Sequence, residues 1–391
     1  MSKERTFVGF GFGAIQAGLF LYEAHRTGRF SRLVVAEVNA EVVATVRTAG
    51  NCFTVNIAHP DGIEPALVGP IDIYNPNDPS DRAALIEAIA VASELATALP
   101  SVDFYTSDSP GSVHRLLAEG LARNPNPAVV YTAENNNHAA EILEAQVLAA
   151  AASPLPNVQF LNTVIGKMSG IVPMDDAAHA RGIQPLTPSA PRAFLVEAFN
   201  RILVSQVRFN ATDFQRAIRV FEEKPDLLPF EEAKLYGHNA IHAMGGYLGL
   251  QRGLNTFDQL AAHPDLMAQL RAAFIEECGA ALIKKHHGVD PLFTPEGFTA
   301  YADDLLERMV NPHLEDALER VTRDTPRKLG WNDRLIGTMR LVLSQGIPPT
   351  RLAQGAAAAL QQAQVPLAEL LSPEVQGTAE FAAINRLLNP L

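Results

Sequence analysis

Thr6-Phe-Val-Gly-Phe-Gly11-Phe-Gly13-Ala-Ile-Gln16-Ala-Gly18 is the stretch whose reading decides the fold. Thr6–Phe10 is a short apolar run suited to a buried strand, and a helix is expected from about Ala14 to Thr27. Glycines between the two permit a tight turn and let the backbone approach a pyrophosphate. The first amides of the helix then offer N–H donors and a positive partial charge to that anion. Counted from Gly11, the spacing is G-x-G-x-x-Q-x-G, so Gln16 stands where the usual fingerprint has its third glycine. Gly11, Gly13, Ala14 and Ile15 are the expected cofactor contacts. A glycine-rich turn alone is a weak signal; its place between a strand and a helix strengthens it. So does Glu37, which ends a second apolar run, Leu33–Glu37, 24 residues after Gly13. A carboxylate there accepts from the adenosine ribose hydroxyls and repels a 2′-phosphate, which favours NAD over NADP. The alternative is a structural turn followed by a surface glutamate.

Outward from this turn, the first half of the chain alternates strand-like and helix-like segments. Val102–Tyr105 and Val129–Thr132 are further short apolar runs, and Asn157–Thr163 and Phe194–Phe199 are expected to add strands on the far side. Helices are expected over Asn39–Thr48, Asp81–Leu95, Ser112–Arg123 and Asn136–Ala152. Such alternation predicts a parallel sheet with helices on both faces, a doubly wound α/β domain of Rossmann type. After about residue 225 strand signals nearly vanish. Leu235–Leu250, Thr256–Leu260, Met267–Lys284, Phe298–Met309, Glu315–Val321, Asp333–Ser344, Arg351–Gln362 and Glu380–Leu388 all read as helices. The expected organisation is therefore an NAD-binding domain over residues 1–225 and an all-α substrate and catalytic domain over 226–391. The boundary is expected in the polar, proline-containing stretch Glu222–Pro229.

The 391 residues are 47% hydrophobic and carry a formal net charge of −12, enough chain for two cores and a poor charge balance for nucleic acid. No stretch approaches the ~18 uninterrupted apolar residues of a membrane span, and the first residues lack the pattern of a secretory signal. Two distant cysteines, Cys52 and Cys278, cannot hold a metal alone and read as free thiols of a reducing compartment. No metal site, no nucleic acid and no membrane partner are expected, and the expected location is the cytoplasm.

Lys234-Leu-Tyr-Gly-His238-Asn239-Ala-Ile-His242 carries the chemistry. At about 100° per residue on a helix, His238, His242 and Asn239 fall roughly 40°, 80° and 140° from Lys234. An amine, an amide and imidazole thus share one broad face. Oxidising a secondary alcohol needs a base for the hydroxyl proton and donors for the developing oxyanion; a lysine whose pKa is lowered can be the base and an asparagine a donor. The same spacing also suits an amphipathic helix with a solvated polar face. Glu134-Asn135-Asn136-Asn137-His138 follows the Val129–Thr132 run, where ligands bind beyond strand ends in open parallel sheets. Asn135 is a candidate second oxyanion donor; the alternative is an asparagine-rich turn capping the next helix.

Together these residues resemble the polyol-specific long-chain dehydrogenases of the mannitol dehydrogenase family, and within it the mannitol-1-phosphate 5-dehydrogenases most closely. The resemblance runs through nearly the whole chain. It includes Gly11 and Gly13, Glu37, the Glu134-Asn135 pair and the K-x₄-N-x₂-H signature at Lys234, Asn239 and His242. Further matching segments begin at Cys278, Asn311, Arg323 and Asp333. The resemblance implies metal-independent hydride transfer with NAD, in a monomer or weak homo-oligomer. It makes Lys234 the general base, Asn135 and Asn239 oxyanion donors, and His242 a substrate holder, with Glu134 on the cofactor. Arg308 and Asn311, in R-x-x-N, would reach sugar hydroxyls or a phosphate. Arg323, Arg327 and Lys328 are further phosphate candidates, or else a solvated basic helix end. Two departures stand out. Gln16 replaces the third glycine. Ile165-Gly166-Lys167-Met168 lies where the family commonly has an Asp-Arg pair, so Lys167 is left as the basic substrate contact.

The implied reaction interconverts mannitol 1-phosphate and fructose 6-phosphate. An unphosphorylated polyol or a sugar acid (the mannitol/fructose, fructuronate or tagaturonate type) is the alternative substrate, and a catalytically silent NAD-binding protein the alternative class.

Overall fold

The computed structural model describes residues 5–208 and 214–388. Its backbone divides into two compact units, Met1–Leu227 and Leu228–Leu391.

Among its described residues the first unit contains twelve strands. They are β1 (Thr6–Phe10), β2 (Arg32–Ala36), β3 (Phe53–His59), β4 (Gly62–Val68), β5 (Asp72–Tyr74), β6 (Ala92–Thr97), β7 (Ala128–Thr132), β8 (Val158–Val164), β9 (Ser169–Pro173), β10 (Arg192–Glu197), β11 (Ile202–Ser205) and β12 (Phe221–Lys224). Eight form one sheet in the order β12-β11-β8-β7-β6-β1-β2-β5. Every pairing from β8 to β5 is parallel, and β11 joins β8 antiparallel. The chain leaves β1 towards β2 and β5, then returns to the other side of β1 as β6. The switch point therefore lies at the carboxyl ends of β1 and β6, where open α/β sheets bind ligands. β1 and β7 are buried at every position, as expected of parallel strands covered on both faces.

Three expectations are corrected here. The helix expected over Asp81–Leu95 ends at Ile89, and Ala92–Thr97 is a central strand. Glu94 disguised it: a fully buried strand rarely holds a carboxylate, but this one accepts from Tyr131 Oη at 2.8 Å and from the Ala217 amide. Val102–Tyr105 is a single 3₁₀ turn started by Ser101, not a strand. The strand near Phe194–Phe199 leaves the main sheet for a second one, ordered β4-β3-β10-β9. β3, which anchors that sheet, contains buried Asn56, whose side chain bonds Gln184 O (2.8 Å), Phe194 O (3.0 Å) and Gln184 N (2.8 Å). Its polar residue is satisfied by backbone that a local sequence window cannot contain.

Among the described residues the second unit is helical. Its central run combines the helix Leu228–Ala233, a π-helical turn Lys234–His238 and the helix Asn239–Gln251. A second run, Pro264–Lys285, also contains a π segment, Ala273–Gly279. From it the buried Glu277 carboxylate accepts the N–H groups of Arg351 (2.8 Å) and Leu352 (3.0 Å), and so satisfies the first turn of the helix Thr350–Ala363. Among the described residues no helix is long and apolar enough to cross a membrane.

Candidate active site

At the end of β1 the chain turns through Gly11, which has φ +83° and donates to Ala36 O at 2.9 Å. A side chain there would also bring Cβ within 2.8 Å of Ala98 O, so conformation and close approach both require glycine. The helix starts at Ala14. The N–H groups of Gly13, Ala14 and Ile15 meet no acceptor among the described residues, and a methyl on Gly13 would find no protein atom within 4 Å. Open backbone with three unspent donors is a cradle for an anion such as pyrophosphate. Glu37 stands just beyond β2, half-buried. Its two carboxylate oxygens accept from Phe12 N (3.1 Å) and Asn39 N (2.7 Å), which fixes it beside the turn. Each oxygen keeps lone-pair capacity for a hydroxyl donor.

Gln16 is fully buried over Gly9 of β1, and neither its Nε2 nor its Oε1 has a partner. A π-helical segment, Gln16–Leu21, begins at this residue. Two uncompensated buried polar atoms cost about 1–3 kcal/mol each. The departure from the fingerprint thus changes how the helix meets the strand, while the turn and its donors remain.

The segment after β7 is tied back to the switch point. Glu134 is buried and accepts from Thr97 Oγ1 at 2.9 Å, Leu99 N at 2.8 Å and Tyr105 Oη. Burial raises its pKa against the pull of those donors. Glu134 therefore positions the loops after β6 and β7. Asn135 is exposed at the head of the loop that follows. Asn136 makes the local turn, accepting from His138 N at 2.8 Å, and Asn162 of β8 accepts from Ala140 N at 2.9 Å in the first turn of the helix Ala139–Ala150. The cap thus comes from β8, and of the three asparagines it is Asn136 that shapes the turn.

Lys167, expected at the substrate, is spent on the protein. Its ammonium donates to Glu197 O, to Phe199 O at 3.0 Å and to Asn200 Oδ1 at 2.6 Å. An ammonium has three N–H donors, and these three acceptors, at the end of β10 and in the loop after it, match them in number. These contacts give the residue a structural role in the first unit.

In the second unit, the π turn changes the angular spacing assumed for a regular helix across Lys234–His238. Such turns widen the backbone and recur at functional sites. Lys234 is half-buried at its start. Burial, then the positive charge of Arg334, push its amine down to about 8, against an opposing pull from Glu231. His238 is buried. Burial first, then His242, Arg308, Lys234 and Arg334, hold its pKa well below the usual histidine value, so the ring is neutral. Asn239 is half-buried, and its amide makes no hydrogen bond among the described residues. His242 lies with its ring centroid 4.6 Å from that of Phe257, and its Nε2 is 2.9 Å from Asp316 Oδ2. Arg320 holds the other oxygen of Asp316, Nε at 2.8 Å and Nη2 at 2.5 Å. Burial tends to raise the Asp316 carboxyl, but the His242 bond and Arg320 overcome it and hold it below the ordinary carboxylate range. A carboxylate only accepts, so it keeps the proton on Nε2 and leaves Nδ1 as the other ring nitrogen.

Arg308 bonds Asp304 Oδ2 at 2.9 Å, is largely buried, and acts electrostatically on His238. Asn311 accepts from His313 N at 2.9 Å. Of the basic trio, Arg323 and Arg327 are exposed, as a solvated helix end would be, whereas Lys328 is buried. Sequence reasoning missed Asp316, Arg320 and the electrostatic part of Arg334. The only local signal was the Asp316-x₃-Arg320 spacing, and its histidine partner is 74 residues away.

The profile of the mannitol dehydrogenase C-terminal domain matches residues 226–364. The chain is 30% identical over 340 residues to the mannitol-1-phosphate 5-dehydrogenase of Bacillus licheniformis, covering 84% of this chain and 81% of that protein. Among solved structures it resembles a D-sorbitol dehydrogenase in substrate-free form (TM-score 0.73, 15% identity, 92% of this chain and 80% of that one). It also resembles the Pseudomonas fluorescens mannitol 2-dehydrogenase in ternary complex with NAD and D-mannitol (TM-score 0.69, 19% identity, 98% of this chain and 91% of that one). At those identities the two structures establish the shared fold, and the closer sequence match establishes more: the chain belongs to the mannitol dehydrogenase family of oxidoreductases.

Proposed function

We propose that the protein is an NAD-dependent polyol dehydrogenase that interconverts mannitol 1-phosphate and fructose 6-phosphate, with Lys234 as general base. One observation carries this reading. A lysine amine pushed down to about 8 shares an electrostatic neighbourhood with a neutral histidine; among the described residues an unengaged asparagine amide follows one π turn later and a carboxylate-anchored histidine three residues beyond that.

Gly11, Gly13, Ala14 and Ile15 would hold the cofactor pyrophosphate and Glu37 its adenosine ribose; the bound nicotinamide supplies the hydride acceptor or donor. The protein's own residues manage the proton and the oxygen. In oxidation, neutral Lys234 takes the hydroxyl proton. In reduction, its ammonium returns one. Asn239 donates an N–H to the oxygen as it alternates between hydroxyl and carbonyl. Asn135 keeps the role the resemblance implies, a further oxyanion donor. His242, oriented by Asp316, offers Nδ1 to a neighbouring hydroxyl. His238 remains neutral and adds no charge that would suppress the base further.

The reading is supported by the name of the Bacillus licheniformis relative and by the NAD and D-mannitol of the Pseudomonas fluorescens complex. The test is NADH oxidation by the purified protein with fructose 6-phosphate, fructose, fructuronate and tagaturonate. Turnover fastest with fructose 6-phosphate is expected. Turnover confined to fructose or a uronate keeps the mechanism and replaces the substrate; NADH binding without any turnover removes the enzymatic reading.

A further inference from the structure

Strand pairing between β6 and β7 ends at Thr97 and Thr132, and the Ala133 amide adds one more backbone bond, to Thr97 O at 2.9 Å. Past that point the Glu134 carboxylate spans the two loops. Its Oε1 accepts from Leu99 N at 2.8 Å, and its Oε2 accepts from Thr97 Oγ1 at 2.9 Å and from Tyr105 Oη. Tyr105 is fully buried at the end of the 3₁₀ turn Val102–Tyr105. Burial, then the charge of Glu134, push its pKa up, so the phenol keeps its proton and is the donor. His114 Nδ1 donates to the Tyr105 carbonyl at 3.0 Å and ties the turn to the helix Val113–Ala122. The loop after β6 also borders the glycine turn, since a Cβ on Gly11 would meet Ala98 O at 2.8 Å and Leu99 Cδ2 at 3.1 Å.

We propose that Tyr105 is a positioning residue for hydride transfer: its phenol fixes the Glu134 carboxylate, which sets where Asn135 stands and holds the Ala98-Leu99 backbone against the Gly11 turn. The inference rests on the oxyanion role proposed for Asn135. A carboxylate buried to 5% exposure needs its donors, and hydrogen bonds to an ionised acceptor are about twice as strong as neutral ones. Three donors take three of its roughly four lone-pair sites, so Glu134 is first of all a brace. Asn135 is exposed and follows Glu134 directly, so a shift of the carboxylate moves the amide with it. Displacing a group that acts on the reacting atoms by about 1 Å costs about 10²-fold in rate.

The full-length Tyr105→Phe variant tests this, because it keeps the ring in its packing and removes only the hydroxyl. Four readouts are taken: kcat and KM for whichever of fructose 6-phosphate, fructose, fructuronate and tagaturonate is turned over fastest, NADH Kd by fluorescence titration, and Tm. kcat and kcat/KM should fall together by about 10–100-fold with the ketose KM little changed, as expected for a group that acts in the transition state. NADH Kd should rise about 2–10-fold, the worth of one hydrogen bond. In a Glu134→Gln background the same change should cost less than about threefold more, because the two side chains act as one unit. Unchanged kcat in Tyr105→Phe, whether or not Tm falls, would overturn the proposal. So would a loss that multiplies in full with that of Glu134→Gln. If the unaltered protein turns over no ketose, the dehydrogenase reading fails; a rise in NADH Kd that does not multiply with that of Glu134→Gln would still support the brace, and an unmoved Kd would overturn it. Thr97→Val, which removes the neighbouring donor on Oε2, is the second variant and should move kcat in the same direction; failure of both to fold would count as a structural role and overturn the proposal.

Discussion

The position of Lys234 predicts the pH dependence of the reaction. Its amine is pushed from 10.5 down to about 8. At pH 7 about one amine in ten is then neutral, against about one in 3,000 for an ordinary lysine, a difference of roughly 300-fold in competent base. Polyol oxidation requires the neutral form, so kcat/KM should rise with unit slope from pH 6 and level above about pH 8. Ketose reduction requires the ammonium, so its kcat/KM should be level below about pH 8 and fall above it. Burial is the larger cause and Arg334 the second. Arg334→Gln should therefore move the break towards 10.5 only part of the way. The assay is NADH absorbance in both directions over pH 6–10.5. Lys234→Met should lower turnover by about 10²–10⁴-fold while NADH affinity, read by fluorescence titration, is retained. A break near 10.5, or a profile that persists unchanged in Lys234→Met at substantial turnover, would refute the assignment of the base.

Three further outcomes follow from particular contacts. Asp316→Asn leaves the shape but replaces a pure acceptor by a group that can donate to Nε2, so the tautomer of His242 is released; kcat/KM should fall at least about tenfold, with partial recovery in Asp316→Glu, and unchanged kinetics would separate His242 from the substrate. Glu37→Ser removes the charge facing a 2′-phosphate and the acceptor for Phe12 N and Asn39 N. The NADH-to-NADPH ratio of kcat/KM should drop about tenfold or more, and an unmoved ratio would mean that another group discriminates. Lys167→Met strands acceptors around Glu197, Phe199 and Asn200, and should destabilise the fold by about 2–4 kcal/mol in urea titration. A large rise in sugar KM with stability intact would restore the substrate role first expected of this residue.

Much of the fold was legible because its signals are local. The β1 turn announces itself through Gly11 and Gly13, since positive φ and close approach exclude other residues. The helical half shows a periodicity that survives even where the backbone loosens into π turns. What was hidden depended on partners remote in sequence. β3 and β6 each contain a buried polar residue, Asn56 and Glu94, that a local window marks against a core strand. Gln184, more than a hundred residues from Asn56, and Ala217, at a similar separation from Glu94, reverse that judgement. Asp316 was invisible for the same reason, being defined by His242.

The lysines show why residue type and family position do not settle a site. Lys167 was expected as a basic substrate contact and Lys328 as a phosphate candidate. Each is buried, so burial alone does not separate them. The difference is the acceptor count. Around Lys167 two carbonyls and an amide oxygen consume the three donors of the ammonium. Around Lys328 the nearby carboxylates face arginines, and among the described residues its amine has no acceptor. Adjacent Arg327 differs again, being exposed and paired. A buried cation with its donors satisfied contributes to the fold. One with its donors unspent is costly to the fold, and a ligand able to satisfy them supplies the compensation. On that criterion Lys167 contributes to the fold of the first unit, through the carbonyls of Glu197 and Phe199 and the side chain of Asn200.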